Sequence, residues 1–310
     1  MPRYIEREQA TVEFGIGFYP THDSIHPATL ARMVEERAHN TSLFLAEHSH
    51  VPAVAYEERE VPRRLSHLYD PFVALTAAVS ATSRLRVGTG ICLVAERDPI
   101  TTAKQVASLD HLSGGRFEFG IGSGWLRPAM VNHGIDPRTR LRRMGEYVGA
   151  MKEIWTQEEA SFDGEFVQFE RIRAWPKPVQ RPNPPIYVGG DGPTVFDRVL
   201  GYADGWLPNF ARDPREGQEI LDRVEQLRAR ADRSVDVVVV SVPPDPSVLE
   251  RLAKGGVRRA VHWLPATGPA GVERELDRWE AAVTEMTGEA ETVHKSTAET
   301  MGERMELAAS

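Results

Sequence analysis

The stretch GGRFEFGIGSGW, residues 114–125, decides the fold, and it admits two readings. Its glycines suggest a dinucleotide-binding loop; its alternation suggests a β-strand. A dinucleotide fingerprint requires G-x-G-x-x-G running straight into a helix after the first strand of its unit. Here glycines stand at 120, 122 and 124, Trp125 holds the place of the third fingerprint glycine, and strand-like runs precede it. The fingerprint fails on spacing and on context. Alternation accounts for the stretch better. Phe117, Phe119 and Ile121 share one strand face, while Glu118, Gly120 and Gly122 share the other. The run from Leu85 repeats this, with Leu85, Val87, Thr89 and Ile91 opposite Arg86, Gly88 and Gly90. So does the run from Val12, with Phe14, Ile16 and Phe18 opposite Glu13, Gly15 and Gly17. In a closed barrel the apolar face packs on helices and the charged-Gly-Gly face points inward. Unpaired buried charge is costly, so Arg86 is expected to meet Glu118, Glu13 or both inside the barrel. The glycines nearer the carboxyl ends read as room left for a ligand; the alternative is that they relieve crowding or mark bulges.

The rest of the chain supports the barrel. Further strand-like runs begin at Ser42 (SLFLAE), Pro185 (PIYVGG), Gly205 (GWLPN), Asp236 (DVVVVSV) and Arg259 (RAVHWL). Helical patterns over 27–38, 71–81, 100–112, 141–155, 193–203, 215–230, 246–253 and 271–282 lie between and after the runs. Strand and helix alternate eight times, which predicts an α/β fold with a (β/α)8 TIM barrel; a doubly wound open sheet is the alternative. One barrel domain is expected to occupy residues 1–310. An insertion over about 158–185 separates the fourth helix from the fifth strand. Its Asp163-Gly164 pair reads as a hairpin turn and its prolines as an extended return. The polar tail, about 288–310, reads as a docked helix or as disorder.

Composition bounds the function. With 41% hydrophobic and 26% charged residues, the 310-residue chain is an ordinary globular protein. A formal charge of −8 argues against nucleic acid or an anionic membrane surface as a partner. No apolar run is long enough to span a bilayer and no signal-peptide core opens the chain, so a cytoplasmic enzyme for a small molecule is expected. Cys92 is the single cysteine, which excludes an internal disulfide and a cysteine-based zinc site; it reads as a buried small residue.

Three constellations could carry chemistry. VGGDGPT, residues 188–194, joins a strand to a helix. Its adjacent glycines let backbone N–H groups approach a ligand and the helix start attracts phosphate; the bland reading is a turn capped by Asp191. FLAEHSHVP ends the second strand with Glu47, His48 and His50. Glu47 and His48 line a pocket, or are merely a polar strand end. H-x-H is also a metal-ligand pattern, which keeps a metal-dependent hydrolase as an alternative. The strand ends GSGW, GGDG and WLPN supply no obvious further ligand, so no metal is expected. Arg138, Arg140, Arg142 and Arg143 cluster at the start of the fourth helix, as a solvated face or as a receptor for an anionic tail.

With DPFVALTAAVSATSRLRVGTGICLV, DPITTAKQVASLDHLSGGRFEFGIGSGW and WPKPVQRPNPPIYVGGDG in view, the chain resembles the luciferase-like monooxygenase superfamily, and within it the coenzyme F420-dependent oxidoreductases. The likeness is strong from about Val12 to Phe210 and looser beyond. It implies a barrel, often dimeric, with a (deaza)flavin ring at the carboxyl ends of the strands. It assigns ring contact to Glu47 and His48, a cis peptide behind the ring to Gly90-Ile91, and the cofactor border to Gly122 and Ser123. It assigns the phosphate to Gly189, Gly190, Asp191, Gly192 and Thr194. His48, whose imidazole suits proton relay, is the expected catalytic group. Trp125 occupies the place of an acid in sugar-phosphate dehydrogenases of this superfamily, which implies a more apolar substrate wall. The expectation is an oxidoreductase that moves hydride between F420 and a small organic substrate, as a homodimer. An FMN-dependent monooxygenase and a non-catalytic cofactor-binding barrel are the alternatives.

Overall fold

The glycine-bearing runs and their apolar partners form a closed ring of eight parallel staves in a computed structural model that describes residues 12–57, 61–213, 215 and 217–288. The staves are β1 (Glu13–Phe18), β2 (Asn40–Leu45), β3 (Arg86–Thr89) continued by β4 (Cys92–Leu93), and β5 (Phe117–Gly122). After the insertion hairpin β6 (Ala160–Asp163) and β7 (Gln168–Ile172) come β8 (Ile186–Gly189), β9 (Gly205–Leu207), β10 (Asp236–Val240) and β11 (Arg259–Trp263). β1 pairs with both β2 and β11, and β3 and β4 both pair with β5, so no barrel stave is left as an edge. The (β/α)8 barrel is thus the observed fold and the open sheet is excluded.

The helices are α1 (Pro27–Glu36), α2 (Ala53–Glu57), α3 (Pro71–Ser80), α4 (Pro99–Ser113), α5 (Arg127–Asn132), α6 (Arg140–Thr156), α7 (Val195–Tyr202), α8 (Gln218–Arg230), α9 (Pro246–Lys254) and α10 (Pro269–Thr287). Their starts follow local rules. Asp70 accepts from the Phe72 and Val73 N–H groups, Asp98 from Thr101, and Asp245 from Ser247 and Val248, each just ahead of a proline in the first turn. α4 stops at Gly114, whose φ of 66° is left-handed. The short helices α2 and α5 lie in loops at the carboxyl ends of β2 and β5 and have no counterpart among the predicted elements. The polar tail beyond Gly288 lies outside the described residues.

Two local expectations need correction. The hairpin turn is longer than the Asp163-Gly164 pair, running from Gly164 to Val167, because the Glu146 carboxylate of α6 gathers the N–H groups of Glu165, Phe166 and Val167. The run from Leu85 is broken between β3 and β4, at a cis Gly90–Ile91 peptide, and Ile91 faces Gly122 and Gly189 instead of sharing the outward face of Val87.

Inside the barrel, charge occupies the amino end. Arg86 pairs with Glu118, as its position on the inward face requires. Glu118 also meets Arg259 at 2.5 Å, and Arg259 goes on to Glu13, giving a chain of alternating sign across four staves. Burial works against the Glu118 charge, but Arg259 and Arg86 outweigh it and hold the carboxyl below its ordinary range. Above this layer Phe44, Tyr187, Leu207, Val238, Val240 and Val261 fill the interior, with Ile91 and Trp263 toward the mouth.

Candidate active site

The inward glycines do not leave an open cavity, which corrects the reading of them as ligand space. A Cβ at Gly17 would fall 2.0 Å from the Trp263 ring, one at Gly88 2.6 Å from the Phe44 ring, and one at Gly122 2.2 Å from the Ile91 side chain. A Cβ at Gly189 would also meet Ile91, at 2.9 Å, and one at Gly90 lies between Phe44 and Trp263. The glycines make room for large side chains from neighbouring staves, which form the floor of the site. Tyr19 packs edge-on against Trp263. The buried Trp263 Nε1–H has no hydrogen-bond partner among the described residues, so this floor offers a donor.

Loops at the carboxyl ends raise one wall. Glu47 is buried, and its carboxylate accepts from the Leu93 N–H at 2.7 Å and from Arg97 Nε at 2.6 Å. Arg97 also meets Asp70 and Gln105. The Glu47 carboxylate therefore serves first to fix the β3–β4 crossover. His48, half-buried, faces Trp125 edge-on with ring centres 6.0 Å apart. Burial, then His50, holds the His48 imidazole below its ordinary range. Ser123 and exposed Trp125 carry this wall outward on the loop after β5.

Sequence reasoning missed the group with the most distinctive chemistry. Glu96 follows β4 in a short turn and tucks beneath Gly124, leaving its side chain 5% exposed. Burial, and behind it the charge of Glu47, pushes the Glu96 carboxyl up to about 7. His133, at the end of α5, stands 3.8 Å away. Its Nε2 contacts Ser49 Oγ at 2.8 Å, Ser49 contacts His50 Nδ1 at 3.0 Å, and His50 Nε2 meets Asn132. The Glu96–His133 separation is beyond hydrogen-bond reach, so the hydrogen-bonded series is His133, Ser49, His50 and Asn132, with Glu96 beside it. The one available signal was an acid in the ERDP stretch directly after a strand end, but no periodicity marks it.

Beside this wall, on the stave that pairs with β5, lies a cradle. β8 ends at Gly189; Gly190 follows with φ of 105°, and a Cβ at Gly190 or Gly192 would meet nothing within 4 Å. The helix begins two residues later than Pro193, with Thr194 at the N-cap making no side-chain cap. Thr194 Oγ1 accepts from Arg198 at 2.8 Å. Arg198 is partly buried and loses basicity to burial, with the nearby Arg140 charge adding to the effect. Arg223, stacked on Trp206 and Phe196, donates to the Asp191 carbonyl at 2.9 Å and braces the loop. Open glycines, a helix start and two close arginines fit a phosphate group. The members of the Arg138–Arg143 cluster have partners of their own: Arg140 donates to the Pro137 carbonyl at 2.8 Å, Arg138 pairs with Asp136, Arg142 with Glu165, and Arg143 meets Tyr147 and the Phe166 ring. Glu47, His48 and His50 do not converge on a metal position, since Glu47 is held by Arg97. Cys92 is fully buried, and burial pushes its thiol well up.

Comparison with known proteins agrees with the fold. A family model described as luciferase-like monooxygenase matches residues 12–308. An uncharacterised protein of Mycobacterium tuberculosis is 37% identical over 266 residues, which cover 82% of this chain and 92% of that one. The FMNH2-dependent dimethylsulfone monooxygenase of Pseudomonas putida is 34% identical over 169 residues, 54% of this chain and 45% of that one. Among solved structures, the monooxygenase RslO1 from Streptomyces bottropensis matches with a TM-score of 0.71 at 18% identity, covering 88% of this chain and 99% of that one. The coenzyme F420-dependent tetrahydromethanopterin reductase from Methanopyrus kandleri matches at 0.65 and 19% identity, covering 88% and 98%. At such identities the structural likeness is one of fold. Among the described residues no helix is long and apolar enough to cross a membrane.

Proposed function

This chain belongs to the luciferase-like monooxygenase family, and from that premise we propose that it is an oxidoreductase moving hydride between coenzyme F420 and a small organic substrate. The observation that carries the reading is Glu96, a buried carboxyl poised at about 7 beside His133 at the carboxyl end of the barrel. Hydride transfer to or from a polar bond needs a proton to accompany it, and a group that titrates near neutrality can give or take one. The bound deazaflavin would supply the hydride chemistry, and the protein would supply position and protons. Arg140, Arg198, Gly190 and Gly192 would hold the phosphate; Ile91 and Trp263 would support the ring from below. His48 and Trp125 would wall the substrate, and Glu96 would give or take the proton.

A second reading, an FMN-dependent monooxygenase, is favoured by one feature. With Arg138 and Arg142 tied to Asp136 and Glu165, the cradle offers cations for a single phosphate better than for a long polyanionic tail. Titration with F420 and with FMN, followed by quenching of tryptophan fluorescence, tests both. Saturable F420 binding at micromolar concentration without FMN binding supports the first reading; the reverse replaces it with the second.

A further inference from the structure

Away from Glu96 and His133, the described residues contain one trio of His, Asp, Glu or Cys side chains whose ligating atoms converge: His22, Asp23 and His67. These atoms all lie within 4.8 Å of one another, with His67 Nδ1 3.9 Å from Asp23 Oδ2. The two imidazoles lie beside each other, centres 5.0 Å apart. Their placement is fixed by paired backbone. His22 N–H donates to the His67 carbonyl at 3.1 Å, Thr21 bridges to Leu68, and Tyr69 N–H donates to the Pro20 carbonyl at 2.8 Å. Ser24 closes the turn by donating its N–H and its hydroxyl to the Thr21 carbonyl. His22 and Asp23 belong to the loop after β1; His67 ends the helical turn Arg63–His67 in the segment between β2 and α3. Two loops of the barrel mouth are thereby brought ligand to ligand.

We propose that His22, Asp23 and His67 form a binding site for a divalent transition metal, with solvent completing the shell. Two imidazole nitrogens and one carboxylate oxygen suit Zn²⁺, Ni²⁺ or Cu²⁺ and disfavour Mg²⁺ or Ca²⁺, which take oxygen. Zn–N bonds of about 2.0–2.1 Å put tetrahedral ligand atoms about 3.4 Å apart. The trio therefore contracts by about 1 Å on loading, which its solvent-facing side chains can do by rotation. The metal would tie the loop after β1 to the segment after β2. Tyr19, three residues before His22, packs on Trp263, so the tie would steady the mouth without joining the chemistry. This site shares no residue with the Glu47–His48–His50 stretch and is independent of the cofactor reading.

The test uses the full chain, stripped with EDTA and exchanged into chelator-free buffer, and titrated with Zn²⁺ alone by calorimetry while thermal melting is followed in parallel. One equivalent is expected at a micromolar dissociation constant, together with a rise in melting temperature. His67→Gln and Asp23→Asn are expected to weaken binding at least tenfold with unchanged circular dichroism, and His50→Gln to leave it intact. Absence of saturable uptake overturns the proposal. So does one-equivalent uptake that survives His67→Gln, or that is lost in His50→Gln.

Discussion

Glu96→Gln separates the buried acid from its surroundings with little change of shape, and its consequence for stability is set by the sign of the shift. The folded carboxyl titrates at about 7 against an ordinary 4.5. Below pH 4.5 folded and unfolded chains both hold the proton, and Glu96 does not discriminate between them. Between 4.5 and 7 the unfolded chain has lost a proton that the folded chain keeps, so stability falls as pH rises through this window. Above 7 the folded protein carries the full cost of a buried carboxylate facing Glu47. The shift corresponds to about 3 kcal/mol at 1.36 kcal/mol per tenfold change. Solvent at the rim reduces it to about 1–2 kcal/mol. Glutamine does not ionise, so E96Q is expected to gain about 1–2 kcal/mol on the wild type between pH 5 and pH 8. Urea unfolding of both proteins at four pH values in that interval measures the difference directly. A constant difference across the interval, or one that moves in favour of the wild type as pH rises, refutes the placement of Glu96 as a poised buried acid. Glu47→Gln would not serve, because it also breaks the pair with Arg97.

The other expectations follow from single contacts. Arg259→Met leaves Glu118 buried with Arg86 alone and should cost about 3–5 kcal/mol in urea unfolding; adding Glu118→Gln should recover part of it, and a double variant no better than the single would tell against the charge chain. Gly17→Ala drives a methyl into the Trp263 ring and should destabilise by about 1–3 kcal/mol with a shifted tryptophan emission; an unchanged spectrum would show that the floor is not packed as described. The Cβ of Gly192→Val would meet nothing within 4 Å, so the substitution should leave stability within about 0.5 kcal/mol, yet lower affinity for whichever phosphate-bearing cofactor binds by at least tenfold. Unaltered affinity would remove the phosphate from this cradle.

How far the sequence could be read depends on which interactions are local. Period-two alternation tells which wall of a strand a side chain faces, and buried charge must find its opposite. Arg86 and Glu118 were therefore pairable on paper. Arg259 obeys the same rule, since it alternates with Val261 and Trp263 on the inward face of β11. What lies across from a glycine is a different matter. Gly17 stands beside Trp263 because β1 and β11 pair in one particular register, between residues 246 positions apart. Nothing near either residue announces it, so empty space and occupied space look alike in the sequence. The same holds for Glu47, whose polar strand end was visible but whose partner Arg97 comes from a turn 50 residues on. Glu96 is the extreme case. Gly124 closes over it, and that burial, with the charge of Glu47 behind it, raises its carboxyl; the three segments are joined only by the barrel. The walls of this site follow from periodicity; its proton chemistry follows from register. A reader of sequence alone therefore names the fold before the acid.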